Sequence, residues 1–454
     1  MPTEKRLTVV GAGLAGPLAA LLLARSGWQV MLMERRPDPR RGEAQGGRSI
    51  NLALAARGLK ALAAAGLESA VTPLLIPMRG RLIHERDGGS ELLPYGQRED
   101  EVIYSVSRAG LNRVLVDAAA ATGRVELQFD CAAGDYDPDT GMLEWKDADG
   151  RRQRRDVGPV IAADGAGSVL RRALQSRGLI TAREELLAHA YKELTIAPAA
   201  DGTHRLEPEA LHIWPRGGFM LIALPNLDGS FTVTLFLSRE GTPGFGSLPD
   251  AAAVEAFFTR EFGDVAPLLE DLTETFFSNP TGVLGTVYAE PWQVGDKLLL
   301  LGDAAHAIVP FHGQGMNAAF EDCRLLAERL APDAEAGAVF EAFFRGRKAD
   351  ADAIARMALE NYVEMRDTVR DPGFALRKAL GFELERRCPD RFAPRYSLVM
   401  FHHLPYAEVE RRGEIQKTLL GEFTRGHEKL QTIDLDAAER AVRERLEPFT
   451  HSSS

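Results

Sequence analysis

The chain has 454 residues, 45% of them hydrophobic and 26% charged, with a formal net charge of −11. This is an ordinary globular composition, long enough for two or three domains with a large core. The acidic balance argues against nucleic acid as a partner, and three scattered cysteines, Cys131, Cys323 and Cys388, with no CxxC spacing, read as reduced packing residues with neither a disulfide framework nor a metal site. Met1–Arg6 is charged and leads straight into the first strand, and no apolar run reaches bilayer length. The expectation is a soluble, cytoplasmic protein with no membrane anchor.

Leu7–Val10 is a short apolar run suited to a buried parallel strand, and it enters Gly11-Ala12-Gly13-Leu14-Ala15-Gly16. Leu18–Ala24 follows at helical spacing, with Gly27 as its C-cap. Strand, glycine turn and helix start form the setting of a dinucleotide fingerprint. Gly11 permits the tight turn, Gly13 removes the Cβ that would block a pyrophosphate, and Gly16 lets helix and strand pack closely; Leu14 and Ala15 lie between them and are counted in the cofactor site. The next strand, Gln29–Met33, ends at Glu34, where a carboxylate can take the ribose hydroxyls. GxGxxG alone also describes a plain glycine turn; the nucleotide reading rests on strand, helix and terminal acid falling in register. Arg35–Arg41 reads as a solvated turn or as a clamp near the adenosine phosphates, with Arg35 the candidate.

Arg48, Ser49 and Asn51 precede a helical run from Leu52 to Ala65 that Gly66 ends. From Arg79 to Gly96 the pattern alternates about the hairpin turn Asp87-Gly88-Gly89, the start of a second, inserted sheet. Ile103–Val106 is followed by Arg108, placed with the cofactor, and by a helix over Leu111–Thr122. Val125–Phe129 and Met142–Trp145 read as strands, and Arg151–Arg155 as a solvated strand edge or turn. Val160–Ala163 is another buried strand, ending at Asp164. Tyr191–Ile196, Leu211–Trp214, Phe219–Leu224 and Ser230–Phe236 suggest an antiparallel sheet with one face buried. A helix over Ala251–Phe262, a strand over Lys297–Leu301 and a helix over Ala318–Leu330 follow; Phe340–Leu446 is mostly helical, broken at Pro372, Pro389, Pro394 and Pro405.

Three later stretches add chemistry. Asp164-Gly165-x-x-Ser168-x-x-Arg171 resembles the DGxxSxxR stretch of the FAD-dependent aromatic hydroxylases, and Leu301-Gly302-Asp303-Ala304-Ala305-His306 resembles their GDAAH stretch. Gly313-Gln314-Gly315-Met316-Asn317 resembles the GxGxN that follows, which brings backbone amides close to the flavin. Within that family the chain is most similar to the kynurenine-hydroxylating branch, almost end to end. GRSINLALAARG at Gly47–Gly58, MRGR at Met78–Arg81, YKEL at Tyr191–Leu194, LHIWPRGGFMLIALPN at Leu211–Asn226, SFTVTLF at Ser230–Phe236, VPFHGQGMN at Val309–Asn317 and ALENYVEM at Ala358–Met365 carry the likeness. It implies an α/β fold: a Rossmann-like FAD-binding domain over residues 1–75, 100–180 and 285–330, an inserted antiparallel-sheet substrate domain over 76–99 and 181–284, and a helical C-terminal part over 331–454.

The resemblance further implies hydroxylation of L-kynurenine to 3-hydroxykynurenine, using NADPH as a transient reductant and O2, through a flavin C4a-hydroperoxide. It places Asp303 on a ribityl hydroxyl and Asp164, Gly313, Gly315, Met316 and Asn317 around the cofactor. It places Arg81 on the substrate carboxylate, helped by Tyr95, Asn361 and Tyr396. The aromatic ring would lie among Ile103, Leu211, Ile222, Leu224, Phe236, Pro310 and Phe311. Aniline-type rings need no deprotonation, so no general base is required; His312 is the candidate for a local proton role, beside its reading as a structural histidine. Two alternatives stay open: an FAD hydroxylase of another aromatic amino acid or aniline-type metabolite, and a flavin redox-sensing module that does not hydroxylate. The oligomeric state and the nicotinamide site are not legible.

Overall fold

Strands that are apolar on both faces pair in parallel and disappear inside a domain. In the computed structural model, which describes residues 5–41, 51–366 and 372–449, three such strands, Arg6–Val10, Val160–Ala162 and Leu298–Leu300, lie side by side. They belong to the first of two units, made of Met1–Ile76, Tyr104–Leu187 and Val283–Ala355. Its six-stranded sheet runs Gln293–Val294, Leu298–Leu300, Val160–Ala162, Arg6–Val10, Gln29–Met33 and Val125–Gln128, parallel except at Gln293–Val294.

Helix Ala15–Arg25 is buried continuously from Gly16 to Ala24, packed between helices Arg108–Ala121 and Gly315–Ala327 as well as on the sheet. That is why its sequence is apolar all round and not amphipathic. Trp28 closes the far end by donating from Nε1 to the Leu330 carbonyl at 2.7 Å. The run from Leu52 to Ala65 is not all helix. Asn51–Leu54 is a strand paired antiparallel with Ile103–Ser107 through residues 104–107, and the helix is Ala56–Ala64. Alternate apolar residues in NLAL fit either period, and cross-strand pairing decides. Arg152–Asp156 is a largely exposed edge strand of a small antiparallel sheet, the solvated position expected for that charge run.

The second unit comprises Pro77–Ile103, Ala188–Gly282 and Arg356–Ser454. Its strands follow the order Thr181–Ile196, Phe231–Ser238, Met220–Pro225, Ala210–Pro215, Gly80–His84, Ser90–Pro94, the first entering from the other unit along the chain. The hairpin turn is where the sequence puts it, with Glu85 N donating to Gly89 O at 2.8 Å. Pairing is antiparallel except between Ala210–Pro215 and Gly80–His84. One face buries Trp214, Leu221, Val233 and Leu235 against Phe257, Phe258 and Phe262. The helices Pro372–Arg387, Tyr406–Thr424 and Leu435–Arg445 share a separate core of Leu380, Leu384, Phe392, Leu419 and Val442 in this same unit. No described helix is long and apolar enough to cross a membrane, and Cys131, Cys323 and Cys388 are all buried free thiols.

The first turn tolerates no side chain at its third glycine, because a Cβ on Gly16 would run into the Gly11 carbonyl. Gly16→Ala is expected to lower the stability of the apoprotein by about 3 kcal/mol, the scale of core overpacking. An unchanged denaturation midpoint would refute that close approach.

Candidate active site

The register of the parallel strands brings the separated glycine turns together. Val10 is paired with Ala162 and Ala162 with Leu300, so the three strands end level. Gly11 follows at once, and Asp164 and Gly302-Asp303 after one further residue, at the carboxyl ends where open α/β sheets take their ligands. Gly302, at φ +58, has Ala319 and Ala15 against the place a Cβ would take, and Cys323 Sγ lies 3.3 Å from Ala15 O. The Asp303 carboxylate lies beside Gly315: Oδ1 is 4.0 Å from where a Cβ on that glycine would stand.

These residues fit FAD. A Cβ on Gly13 would stand in open space with nothing within 4 Å, unlike Gly11 and Gly16, which backbone encloses. The helix that begins at Ala15 has no side-chain cap, leaving its first amides to an anion. Glu34 is buried, with Oε2 accepting from Ala12 N at 2.7 Å and Oε1 from Arg36 Nε at 2.8 Å. Burial opposes its charge, but Arg36 and the Ala12 amide hold its pKa below the usual carboxylate range. Arg36 N and Nη2 also donate to it, at 3.0 and 3.4 Å, which fills its roughly four acceptor sites, so a ribose hydroxyl would take the place of the long Arg36 Nη2 bond. Asp164 uses Oδ2 for Val169 N at 2.8 Å and Leu170 N at 3.3 Å, while its buried Oδ1 has no partner among the described residues. Burial pushes its carboxyl up.

Several residues do their work by holding these turns. Ser168 caps helix Val169–Ser176 by accepting from Arg171 N at 2.9 Å, and Arg171 Nη1 donates to Ala304 O at 2.9 Å. The second motif is therefore tied to the third. The Asn317 side chain accepts from Ala55 N at 2.9 Å and donates to Ala53 O at 2.9 Å and Gly313 O at 2.8 Å, which fixes the glycine turn to the Asn51–Leu54 strand. Below them lies a buried ionic network. Arg347 meets Glu321 at 2.9 Å, Asp322 at 2.9 Å and Asp350 at 3.1 Å; Arg57 meets Glu321 at 2.7 Å; and His306 Nε2 lies 2.6 Å from Asp322 Oδ2. Burial opposes the Asp322 charge, yet His306 and Arg347 hold its carboxyl below the ordinary range.

The second unit assembles a different cluster. Arg81 is 8% exposed. Its guanidinium carbon stands 4.4 Å from the Tyr396 ring centroid and 5.9 Å from that of Tyr95, and the two rings stack at 5.4 Å. Arg81 Nη2 lies 3.5 Å from Asn361 Oδ1 and Nη1 lies 3.7 Å from Glu364 Oε1, while the buried Nε has no hydrogen-bond partner among the described residues. Burial works against the Arg81 charge, but the two phenol oxygens and Glu364 more than offset it. Burial also pushes the Tyr95 and Tyr396 hydroxyls up, so both are neutral donors. Leu211 is paired with Arg81, Ile222 with Ile213, Leu224 with Thr232 and Phe236 with Met220, so Arg81, Leu211, Ile222, Leu224 and Phe236 share the sheet face opposite the phenylalanine core.

An FAD binding domain family model matches residues 4–338. A kynurenine 3-monooxygenase of Stenotrophomonas maltophilia K279a is 47% identical over 444 residues, 98% of this chain and 97% of that protein. One from Myxococcus xanthus DK1622 is 48% identical over 444 residues, 98% of this chain and 96% of that protein. The chain belongs to the kynurenine 3-monooxygenase family. The crystal structure of a 2-methyl-3-hydroxypyridine-5-carboxylic acid oxygenase shares the fold, with a TM-score of 0.66 at 20% identity over 84% of this chain and 98% of that one. Pseudomonas aeruginosa PqsL, solved with 2-aminobenzoylacetate, does so with a TM-score of 0.63 at 20% identity over 80% and 97%. This member of the family is an FAD-dependent monooxygenase with a Rossmann-like FAD-binding fold and FAD as its cofactor.

Other candidate residues of this family member sit as follows. Arg35 and Arg108 are exposed at the ends of their elements, and it is Arg36 that engages Glu34. Leu14 is buried, and Ala15 and Met316 are half-buried, at the starts of helices Ala15–Arg25 and Gly315–Ala327. His312 and Phe311 are buried and Pro310 exposed in the short 3-10 turn before Gly313. Ile103 is buried at the start of its own strand, outside the sheet that carries the other ring-lining candidates. Arg48 and Ser49 lie outside the described residues. Sequence reasoning missed Asn112, whose Nδ2 donates to Ala12 O at 3.0 Å and also to Gly13 O. Its only sequence signal is a position one helical turn after Arg108. Glu364, one turn after Asn361 in ENYVEM, was also missed.

Two outcomes follow from this geometry. Gly13→Ala is expected to leave the apoprotein midpoint where it was while weakening FAD binding at least about tenfold, measured by flavin fluorescence, because its Cβ would enter only open space, where the glycine turn is expected to take a diphosphate. Equal FAD affinity would remove Gly13 from the cradle. Asp322→Ala leaves Arg347 and His306 short of their shared anion and is expected to cost about 3–5 kcal/mol of stability. A thermal midpoint within a degree of the parent protein would show that the network contributes little.

Proposed function

We propose that this enzyme hydroxylates L-kynurenine beside its aniline nitrogen, forming 3-hydroxykynurenine, with NADPH as reductant and O2 as oxidant. The observation that carries the reading is the Arg81 cluster. A buried guanidinium flanked by two neutral phenols and an amide is what an amino-acid carboxylate requires, and an adjoining apolar sheet face suits an aryl group. The names of the relatives agree with this substrate.

Gly13 and the amides after it would hold the FAD diphosphate, Glu34 the ribose and Asp303 the ribityl chain, with Gly313, Gly315, Met316 and Asn317 shaping the turn beside the ring. FAD held there would pass electrons from NADPH to O2 and so supply the electrophilic oxygen. The chain's own residues then bind, orient and exclude water. Arg81 takes the carboxylate, while Tyr95, Tyr396 and Asn361 donate hydrogen bonds and set its angle. Leu211, Ile222, Leu224 and Phe236 desolvate the ring. An aniline ring is already electron-rich, so no general base is invoked, and His312 is the group assigned to any local proton movement.

The test is product identity. NADPH oxidation with L-kynurenine should yield a product one oxygen heavier, hydroxylated at the 3-position. Release of peroxide with every aromatic tried would instead favour a flavin module that does not hydroxylate. Arg81→Ala should retain FAD and raise KM for L-kynurenine by about 10- to 100-fold, the worth of a charged hydrogen bond. An unchanged KM would sink the carboxylate assignment.

A further inference from the structure

The Arg81 cluster sets two cations, Arg81 and Lys378, beside two carboxylates, Glu364 and Glu91, of which Glu364 alone comes within ion-pair reach of either cation among the described residues. Lys378, on helix Pro372–Arg387, is half-buried, and its Nζ makes its one hydrogen bond among the described residues to Pro94 O at 3.3 Å, the residue before Tyr95. Its ammonium also stands 5.6 Å from the Phe382 ring centroid. The charged groups that face it are Arg81 and Glu91 from the sheet and Glu364 from helix Ala336–Arg366. The phenols of Tyr95 and Tyr396 beside Arg81 are neutral. The one carboxylate within ion-pair reach of Arg81 among the described residues is Glu364, at 3.7 Å and 31% side-chain exposure, and none pairs with Lys378. Two cations set together in a partly desolvated place, with one carboxylate in ion-pair reach of them, favour a further anion between them.

We propose that Lys378 is a further substrate-binding residue, a second cation that with Arg81 selects a substrate carrying a free carboxylate. This rests on the functional reading above and deepens it. Burial, and then Arg81, pull the Lys378 pKa down to about 8, while Glu364 and Glu91 pull the other way. Anion binding needs the protonated amine. The extra attraction is therefore present below that pH and lost as pH rises through it, unless the bound carboxylate carries the transition higher. Arg81 keeps its proton throughout.

Steady-state hydroxylation by the FAD-loaded enzyme tests this. Lys378→Met is expected to raise KM for L-kynurenine about tenfold at pH 7 with kcat within twofold, the scale of one nearby charge at an effective dielectric between protein and water. The same substitution should change KM for the methyl ester of kynurenine by less than twofold. For the analogue lacking the α-amino group, whose own charge does not change between pH 7 and 9.5, wild-type KM should climb above pH 8, whereas Lys378→Arg should give a flat profile. Unchanged KM in Lys378→Met, an equal effect on the ester, or superimposed wild-type and Lys378→Arg profiles would each overturn the lysine assignment alone. A wild-type enzyme that forms no hydroxylated product from L-kynurenine would overturn the functional reading and this inference with it.

Discussion

The first unit depends on the level ending of three adjacent parallel strands. Arg6–Val10, Val160–Ala162 and Leu298–Leu300 are short and fully apolar at their ends, and their registers coincide at Val10, Ala162 and Leu300. Because every residue beyond those three points leaves the sheet on the same edge, turns far apart in the chain become neighbours. A slip of one residue in any strand would carry its turn along the strand by about 3.3 Å and invert its side chains. Complete burial of both faces makes such a slip expensive, so the hydrophobic core also sets the geometry of the cofactor site.

Glycine then determines how closely the turns approach. Gly11 and Gly16 are closed in by backbone, whereas Gly13 opens on space. The same residue type thus serves chain packing at two positions and leaves open space at the third. Arg171, Asn317 and Asn112 hold the turns through carbonyl and amide groups of the loops themselves. These bonds immobilise backbone that would otherwise be mobile, and a preorganised site avoids the entropy cost of ordering it when the cofactor binds.

Legibility followed the range of the interactions. The glycine turn, the terminal Glu34 and the later aspartate motifs are local patterns with local causes, and the sequence shows them. Leu52–Leu54 reads as the start of a helix because so short a run satisfies both periods, and only its pairing with Tyr104–Val106 decides for a strand. The network around Arg347 was invisible, since its members lie on four elements between Arg57 and Asp350 and each alone looks like a surface charge. Tyr95, Asn361 and Tyr396 could be named only through family resemblance. No spacing in the chain predicts that they meet at Arg81.

The two ionic clusters show how similar residues divide between scaffold and site. Around Arg347 every cation touches a carboxylate, with Arg57 and Arg347 set among Glu321, Asp322 and Asp350 and His306 on the remaining oxygen of Asp322. Such a network pairs each of its charges and resists any rearrangement that would leave one alone. Around Arg81 the pairing is looser: its buried Nε has no hydrogen-bond partner among the described residues, the carboxylate in reach, Glu364, is partly exposed, and Lys378 adds charge of the same sign. A cluster left unsatisfied within the protein is unfavourable to the fold on its own terms and persists because the packed helices and sheet around it hold it there. A carboxylate would supply the partner that the buried Nε has not found among the described residues, and the apolar strand face beside Arg81 suits the ring of the proposed substrate.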